Sequence, residues 1–518
     1  MQMDDRTMGR VALVGAGPGA PDLITVAGRQ WIERAGVLVY DNLVDRRLIS
    51  LAPADCEKIY VGKEAGRHTL PQEEIGNLLV QKAREGLTVV RLKGGDPLVY
   101  GRGGEEARRL REAGIPFLIV PGVTAAVAAA AYAGIPLTQR NTSSAVVFLT
   151  GHEDPEKGET VVDWKAWGAS DATLCLYMAV GKWPMIAASL QEGGRSPETP
   201  GAAIRWASLG RQQTIRATLA TLEQEMAQAD FGAPAVLVVG EVVDGSEDLD
   251  WFSRLPLRGK QVVLTRNHEQ QSVFRARLEE LGAEVLELPL IAVQPKREPK
   301  VWDEVMETFG TYDWLVFSSP NGAEIFMRDF ISQFRDVRAL GACRLAAVGA
   351  ATAAVLQSYH LEVDVIPEVA TADGLVDAMM EQGDLDSYGI LVVTGNLGGE
   401  TLVQRLTEEG RAIVDRLEVY ETAPQALEAM PDGDRFRREG ADYMVFTSSS
   451  AVESFVSRAA EFQLLPGARS PEPVSFGPRT TEALQKAGLK PRLALEKPGL
   501  EALINLLCAD AAKEEKSS

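Results

Sequence analysis

The sequence predicts an α/β protein made of several domains, each built on a mostly parallel or mixed sheet. Three observations carry that expectation. Apolar runs rich in Val, Ile and Leu alternate with helix-period segments from the start of the chain, which is the pattern of βα units. Residues 244–260, DGSEDLDWFSRLPLRGK, are acidic and then bear Pro and Gly, and they interrupt the alternation before it resumes. The second half then repeats part of itself.

In chain order, the runs VALVG, VLVY, TVVRL and FLIVP are separated by helix-period segments at 22–34, 71–85 and 102–113, so a mostly parallel sheet is expected. After IPLTQR (135–140) come VVFLT, TLCLYM, AAIRWAS, QTIRATL and AVLVVGEVV with only short helices between, which predicts a second lobe with a mixed sheet. Beyond the interruption a fresh unit begins with QVVLTR, a helix over 269–281 and EVLELPL. The repeat pairs FSSPNGAEIF (317–326) with FTSSSAVESF (446–455), and AVGAATAAVL (347–356) with SFGPRTTEAL (475–484). Each copy reads as a strand ending in small or hydroxyl residues that start a helix. Such helix N-termini present free NH groups and partial positive charge, suited to carboxylates or phosphates, although Ser and Thr there also serve simply as caps.

At 518 residues the chain needs at least two and up to four cores. Apolar residues are 45% and charged residues 24%, an ordinary soluble balance, and the start MQMDDRTMGR lacks the apolar core of a signal peptide. A cytoplasmic location is expected. The net charge of −20 argues against nucleic acid or a membrane surface as partner, while local basic clusters leave an anionic small molecule open. Cys56, Cys175, Cys343 and Cys508 form no CxxC, and His68, His152, His268 and His360 are scattered, so no metal is expected.

VALVGAGPGA (11–20) fits the glycine fingerprint of a dinucleotide site, with Asp41 ending the next strand where a ribose-binding acid belongs. Against an NAD-dependent oxidoreductase, Pro18 and Pro21 remove NH groups from the loop that would cradle a pyrophosphate. RLKGGDPLVYGRGGEE (91–106) is not followed by Gly-Lys-Ser/Thr, so it is no nucleotide P-loop. Gly94 and Gly95 permit close backbone approach, Asp96 offers an acceptor, and Glu105 and Glu106 suit the first turn of a helix.

Taken in order, LVGAGPG, VYDNLV, VGKEAGRH, PQEEI, VVRLKGGDPLVYGRGGEE, VPGVTAA, AYAGIPLT, TGH and LYM closely resemble uroporphyrinogen-III C-methyltransferase over about residues 8–245. The resemblance implies a two-lobed tetrapyrrole methyltransferase, expected as a homodimer through this half, with lobes at 8–140 and 141–245 and a linker at 246–257. It places S-adenosylmethionine, with S-adenosylhomocysteine as product, at Pro18, Gly94, Gly95, Asp96, Val99, Thr124, Ala125, Met178 and Ala207. Asp41 and Lys63 match the family's proton acceptor and donor. By themselves Met178 would read as core packing and Lys63 as a solvated strand end. Arg67, Arg102 and Arg140, with Lys63, are expected partners for the substrate's carboxylates. Gln139 stands where the family reads His, Ala20 where it often reads Asp, and RWAS (205–208) where it has a small Gly-Thr pair, which puts the Ala207 contact in question. With about ten residues before the first strand, the dehydrogenase and ferrochelatase module of siroheme synthases is not expected.

The second half resembles uroporphyrinogen-III synthase over about residues 257–511, through VVLTR, FSSPNGA, VGAATA, TADGL, GNLGGETL, LEVYET, FTSSSAV and FGPRTTEAL. That implies a pair of flavodoxin-like domains, one from 258–292 with 423–511 and one from 296–420. Tyr420 aligns with the tyrosine proposed as an acid in the loss of hydroxide from hydroxymethylbilane, and it would otherwise read as a packed hinge tyrosine. Thr265, Arg266, Ser318, Ser319, Thr352, Thr371, Ser448, Ser449 and Thr480 are expected to bind acetate and propionate groups. The expected protein is bifunctional, making uroporphyrinogen III and methylating it at C2 and C7 to precorrin-2. A tetrapyrrole carrier without activity is the remaining alternative.

Overall fold

The computed structural model describes residues 9–62, 70–151, 162–265, 268–430 and 432–515. Its strands form four five-stranded sheets. By contacts the chain divides into two compact units: Met1–Gln261 with Ala276–Glu284 and Ile504–Ser518, and Val262–Arg275 with Val285–Leu503. Among the described residues no helix is long and apolar enough to cross a membrane.

The first sheet contains β1 (Arg10–Gly15), β2 (Val37–Tyr40), β3 (Glu57–Tyr60), β4 (Thr88–Lys93) and β5 (Phe117–Val120), all parallel, in the order β3-β2-β4-β1-β5. Helices cover both faces, so its strands read as unbroken apolar runs. Val11 and Leu13 pack with Leu79 and Leu110 on one face, and Ala12 and Val14 with Trp31 and Leu48 on the other.

The second sheet contains β6 (Val146–Thr150), β7 (Thr173–Tyr177), β8 (Pro200–Arg205), β9 (Gln213–Thr218) and β10 (Ala235–Val239), in the order β6-β7-β10-β8-β9. Only β6 and β7 run parallel. The mixed sheet follows from the short connections, since antiparallel neighbours need no long crossover. Helix Ala125–Tyr132 belongs to the first lobe in sequence but packs its alanines on this sheet, with Cys175, Ala202 and Val238. In 246–257, expected as a linker, Phe252 and Leu257 are buried, and the Trp251 indole donates to Ala131 O at 3.0 Å.

The remaining strands are β11 (Gln261–Leu264), β12 (Glu284–Glu287), β13 (Ile291–Pro295), β14 (Trp314–Phe317), β15 (Arg344–Ala347), β16 (Gly389–Gly395), β17 (Ile413–Pro424), β18 (Tyr443–Phe446), β19 (Glu472–Ser475) and β20 (Leu493–Ala494). The order β12-β11-β18-β19-β20 is the second-first-third-fourth-fifth order of a flavodoxin-like sheet. In the other sheet, β13-β17-β16-β14-β15, the long β17 pairs parallel with β16 and then antiparallel with β13.

The repeat in sequence is a repeat in structure. Ser319 caps helix Pro320–Phe334 after β14, its Oγ accepting from Gly322 N at 3.0 Å, and Ser448 caps helix Ser449–Ser457 after β18, accepting from Ala451 N at 3.2 Å. Gly349 and Gly477 stand at the corresponding helix starts after β15 and β19.

Candidate active site

The loops after β1, β4 and β5 cross where three glycines meet. A Cβ on Gly15 would lie 2.6 Å from Gly122 and 2.7 Å from Gly95 O, so only hydrogen fits. Gly17 and Gly95 exchange backbone hydrogen bonds of 3.2 and 2.7 Å. Asp96 ties the crossing together: Oδ1 accepts from Leu98 N at 2.8 Å and Oδ2 from Gly122 N at 3.0 Å. Three NH groups of the GAGPGA loop are thereby engaged, Gly17 N at the crossing, Ala16 N on Lys93 O at 2.7 Å and Ala20 N on Ser208 Oγ at 3.0 Å. A 3-10 turn at Pro21–Leu23, opened by a proline without an NH, follows the glycines, and the α-helix beyond it starts only at Val26. A pyrophosphate cradle needs free loop NH groups and a helix N-terminus, and the dinucleotide alternative loses its structural basis.

The two lobes join around this crossing. The Tyr177 hydroxyl, at the end of β7, lies 2.6 Å from Thr124 Oγ1 and accepts from Ala126 N at 3.0 Å, capping helix Ala125–Tyr132 from the other lobe. Burial raises the pKa of this phenol, so it remains a neutral donor and acceptor. The Tyr100 hydroxyl donates to Phe148 O at 2.7 Å, and its ring centroid lies 4.9 Å from that of Tyr177. Tyr100, Arg102, Met178, Trp206 and Ser208 all have φ between 52° and 70°, a left-handed conformation costly for such side chains and concentrated here at the lobe junction.

Several of the expected cofactor positions meet at this junction. Pro18 lies in the loop held by Ser208. A Cβ on Gly95 would lie 3.7 Å from Ala125 N and 3.9 Å from Thr124 Cα, and Val99, Ala125 and Ala207 pack into one cluster with Tyr177. Gly94 packs against Leu43. Met178 is 51% exposed, which removes the core-packing reading.

Asp41 follows β2. Its Oδ1 accepts from Leu43 N at 3.2 Å, and its Oδ2 lies 3.4 Å from Arg91 Nη2. Behind it stands a buried ionic cluster: Glu106 Oε1 accepts from Arg91 Nε at 3.3 Å, Lys93 Nζ at 3.1 Å and Gln72 Nε2 at 3.1 Å. Burial, and then the neighbouring Arg91 cation, hold the Lys93 ammonium below the usual lysine range. Arg102 is exposed and forks onto Glu105 at 2.9 and 2.7 Å, which lowers the pKa of that carboxyl. Arg140 is exposed beside the turn closed by Gln139 and Ser143. Lys63, Arg67 and Arg266 lie outside the described residues.

In the second unit a polar group sits at the ends of β14 and β16, beside the middle of β17. The Tyr420 hydroxyl lies 3.0 Å from Ser319 Oγ, and Ser318 Oγ donates to Thr394 Oγ1 at 2.9 Å. Asn396 grips the backbone of Thr422, accepting from its N at 2.9 Å and donating to its O at 3.3 Å. Thr371 caps helix Ala372–Glu381. Ser448 and Ser449 are grouped at the end of β18, where Ser449 Oγ donates to Arg479 O at 3.3 Å. Thr265, Thr352 and Thr480 are buried, and the Thr265 hydroxyl donates to Val445 O at 2.8 Å.

The reading of the sequence missed Tyr100, the roles of Tyr177 and Asn396, and the Arg91–Lys93–Glu106 cluster. A signal for the last was present: charges at 91 and 93, two apart, fall on one face of a strand whose apolar run implies burial on both.

Two families match the chain, tetrapyrrole (corrin/porphyrin) methylases over residues 10–223 and uroporphyrinogen-III synthase HemD over 272–505. Porphyrin biosynthesis protein HemD of Ruminiclostridium josui is 34% identical over 505 residues, 96% of this chain and 97% of that protein. A uroporphyrinogen-III C-methyltransferase of Bacillus subtilis is 39% identical over 334 residues, 64% of this chain and 68% of that protein. The crystal structure of uroporphyrin-III C-methyl transferase from Thermus thermophilus complexed with S-adenyl homocysteine is 38% identical, covers 46% of this chain and 94% of that one, and has a TM-score of 0.40.

Proposed function

Because the chain belongs to the family in which a tetrapyrrole methylase is fused to uroporphyrinogen-III synthase, we propose that it carries out both reactions in succession. The C-terminal half cyclises hydroxymethylbilane to uroporphyrinogen III, and the N-terminal half methylates that product at C2 and C7 to precorrin-2. The observation that carries the methylation reading is the gathering of Pro18, Gly94–Asp96, Thr124–Ala125 and Ala207 at one junction beside Asp41.

The residues at that junction fit S-adenosylmethionine. The crossing presents glycine backbone and the Asp96 carboxylate, while exposed Met178 and Leu98 supply apolar surface. Pro18, Gly94, Gly95, Asp96, Val99, Thr124, Ala125, Met178 and Ala207 would hold it. When bound, it supplies an electrophilic methyl group on a sulfonium that leaves as neutral S-adenosylhomocysteine. The protein's part is alignment, so rigid loops matter more than a strong acid. Asp41 Oδ2 takes the proton that the macrocycle releases. Lys63 is the matching donor. Arg102 can exchange Glu105 for a substrate carboxylate, because an exposed ion pair is worth only about 0–1 kcal/mol. Arg67 and Arg140 are further substrate partners.

In the second half, Tyr420 donates its proton to the departing hydroxide, with Ser319 fixing the hydroxyl. Ser318, Thr371, Ser448 and Ser449, with Arg266, bind acetate and propionate groups, and the buried Thr265, Thr352 and Thr480 support those binding loops. Consecutive enzymes on one chain raise the local concentration of an unstable intermediate. Homodimerisation through the methyltransferase half and a cytoplasmic location complete the reading.

Calorimetry and a single variant test it. S-Adenosylhomocysteine should bind and NAD should not. Asp41→Asn should lose methylation and keep cyclisation, whereas equal loss of both would break the division of labour.

A further inference from the structure

The ionic cluster behind Asp41 has no place in the reactions described above. Arg91 and Lys93 lie on one face of β4, a strand with neighbours on both sides, and Glu106 lies on helix Gly103–Glu112. Arg91 is 3% exposed, Lys93 4% and Glu106 1%. Burying each charge costs several kcal/mol, and a well-packed apolar replacement of such a group is often neutral or stabilising, so the cluster is weak as a stability device. Its geometry is directional. Arg91 reaches Glu106 at 3.3 Å with Nε and Asp41 at 3.4 Å with Nη2, and its Nη1 donates to Leu92 O at 3.1 Å. Lys93 and Gln72 fix the Glu106 oxygen that holds Arg91. The two cations, Arg91 and Lys93, balance the two carboxylates, Asp41 and Glu106.

We propose that Arg91 is a positioning residue for the Asp41 carboxylate, and that Glu106, clamped by Lys93 and Gln72, locks the guanidinium in the orientation that holds Asp41 toward the macrocycle. The proposal rests on the reading of Asp41 as the proton acceptor. Arg91 acts through Asp41, so its loss should slow the chemical step and leave binding alone. Glu106→Gln removes the negative anchor at constant shape. Arg91→Met with Glu106→Gln removes both partners of that pair, so the cations and carboxylates that remain, Lys93 and Asp41, still balance one for one.

The test uses the full chain, supplied with uroporphyrinogen III and S-adenosylmethionine for methylation, and with hydroxymethylbilane for cyclisation as a control of folding. In both variants kcat for methylation should fall, by about tenfold for Glu106→Gln, which weakens the positioning only, and by about a hundredfold for the pair, the low end of the span of acid–base catalysis. KM and S-adenosylhomocysteine affinity should stay within about threefold, since only a transition-state interaction is removed. Wild-type kcat in either variant, or a kcat loss matched by an equal loss of S-adenosylhomocysteine binding, overturns the proposal. Asp41→Asn runs alongside: full methylation by that variant would remove the reading of Asp41 itself, a failure distinct from that of Arg91.

Discussion

The ring of Tyr420 lies over Gly395 so closely that a Cβ on the glycine would fall far inside contact distance of the ring carbons. The hydroxyl is thereby delivered to Ser319 Oγ at 3.0 Å, and the ladder between β16 and β17 shifts register at Thr394 and Gly395 to allow it. The glycine of GNLGG is therefore needed by a side chain on the neighbouring strand.

Gly395→Ala should displace the Tyr420 ring and cost about 1–3 kcal/mol of stability by overpacking. Cyclisation of hydroxymethylbilane should fall by about tenfold or more, while methylation of supplied uroporphyrinogen III stays at the wild-type rate. Tyr420→Phe should lower cyclisation without the stability loss, and thermal unfolding separates the two effects.

Tyr177→Phe removes the hydroxyl that joins Thr124 Oγ1 to Ala126 N across the lobes. Leaving a buried donor unmatched costs about 1–3 kcal/mol. S-Adenosylhomocysteine affinity should fall by about tenfold in calorimetry, and cyclisation should be unchanged.

Arg102→Gln should raise KM for uroporphyrinogen III by about tenfold and change stability little, because the pair it breaks with Glu105 is exposed. Steady-state kinetics at varied salt checks this. The wild-type KM should rise with ionic strength, and that of the variant should rise less.

Burial pushes the Cys175 thiol up to about 12. A raised acid pKa gives stability that is complete below pH 9 and is lost as pH rises toward about 12. Cys175→Ala should therefore lose less stability than wild type over that alkaline range, measured by denaturant unfolding at each pH. In native protein at pH 8, Cys175 should resist thiol reagents.

Where a residue's role shows in spacing, the sequence was legible. Ser319 and Ser448 sit at equivalent places in a repeated string, and both cap helices after equivalent strands. The apolar runs of β1 and β4, alternating with helix-period segments, announced a mostly parallel sheet. Roles that depend on distant partners were not legible. Arg91 and Lys93 looked like flanks of a glycine loop until Glu106 was packed against them. Acidic and Gly-bearing composition suggested a linker at 246–257, although Trp251, Phe252 and Leu257 anchor it by burying or bonding against their surroundings. Thr265, Thr352 and Thr480 looked like ligand hydroxyls, because sequence shows which atoms are polar and not which are buried.

The most direct measurement supplies purified chain with hydroxymethylbilane and S-adenosylmethionine alone and follows the products by mass and absorbance. The expected product is a type III macrocycle carrying two added methyl groups, with the absorbance of precorrin-2. Unmethylated uroporphyrinogen I as the sole product would contradict both halves of the assignment.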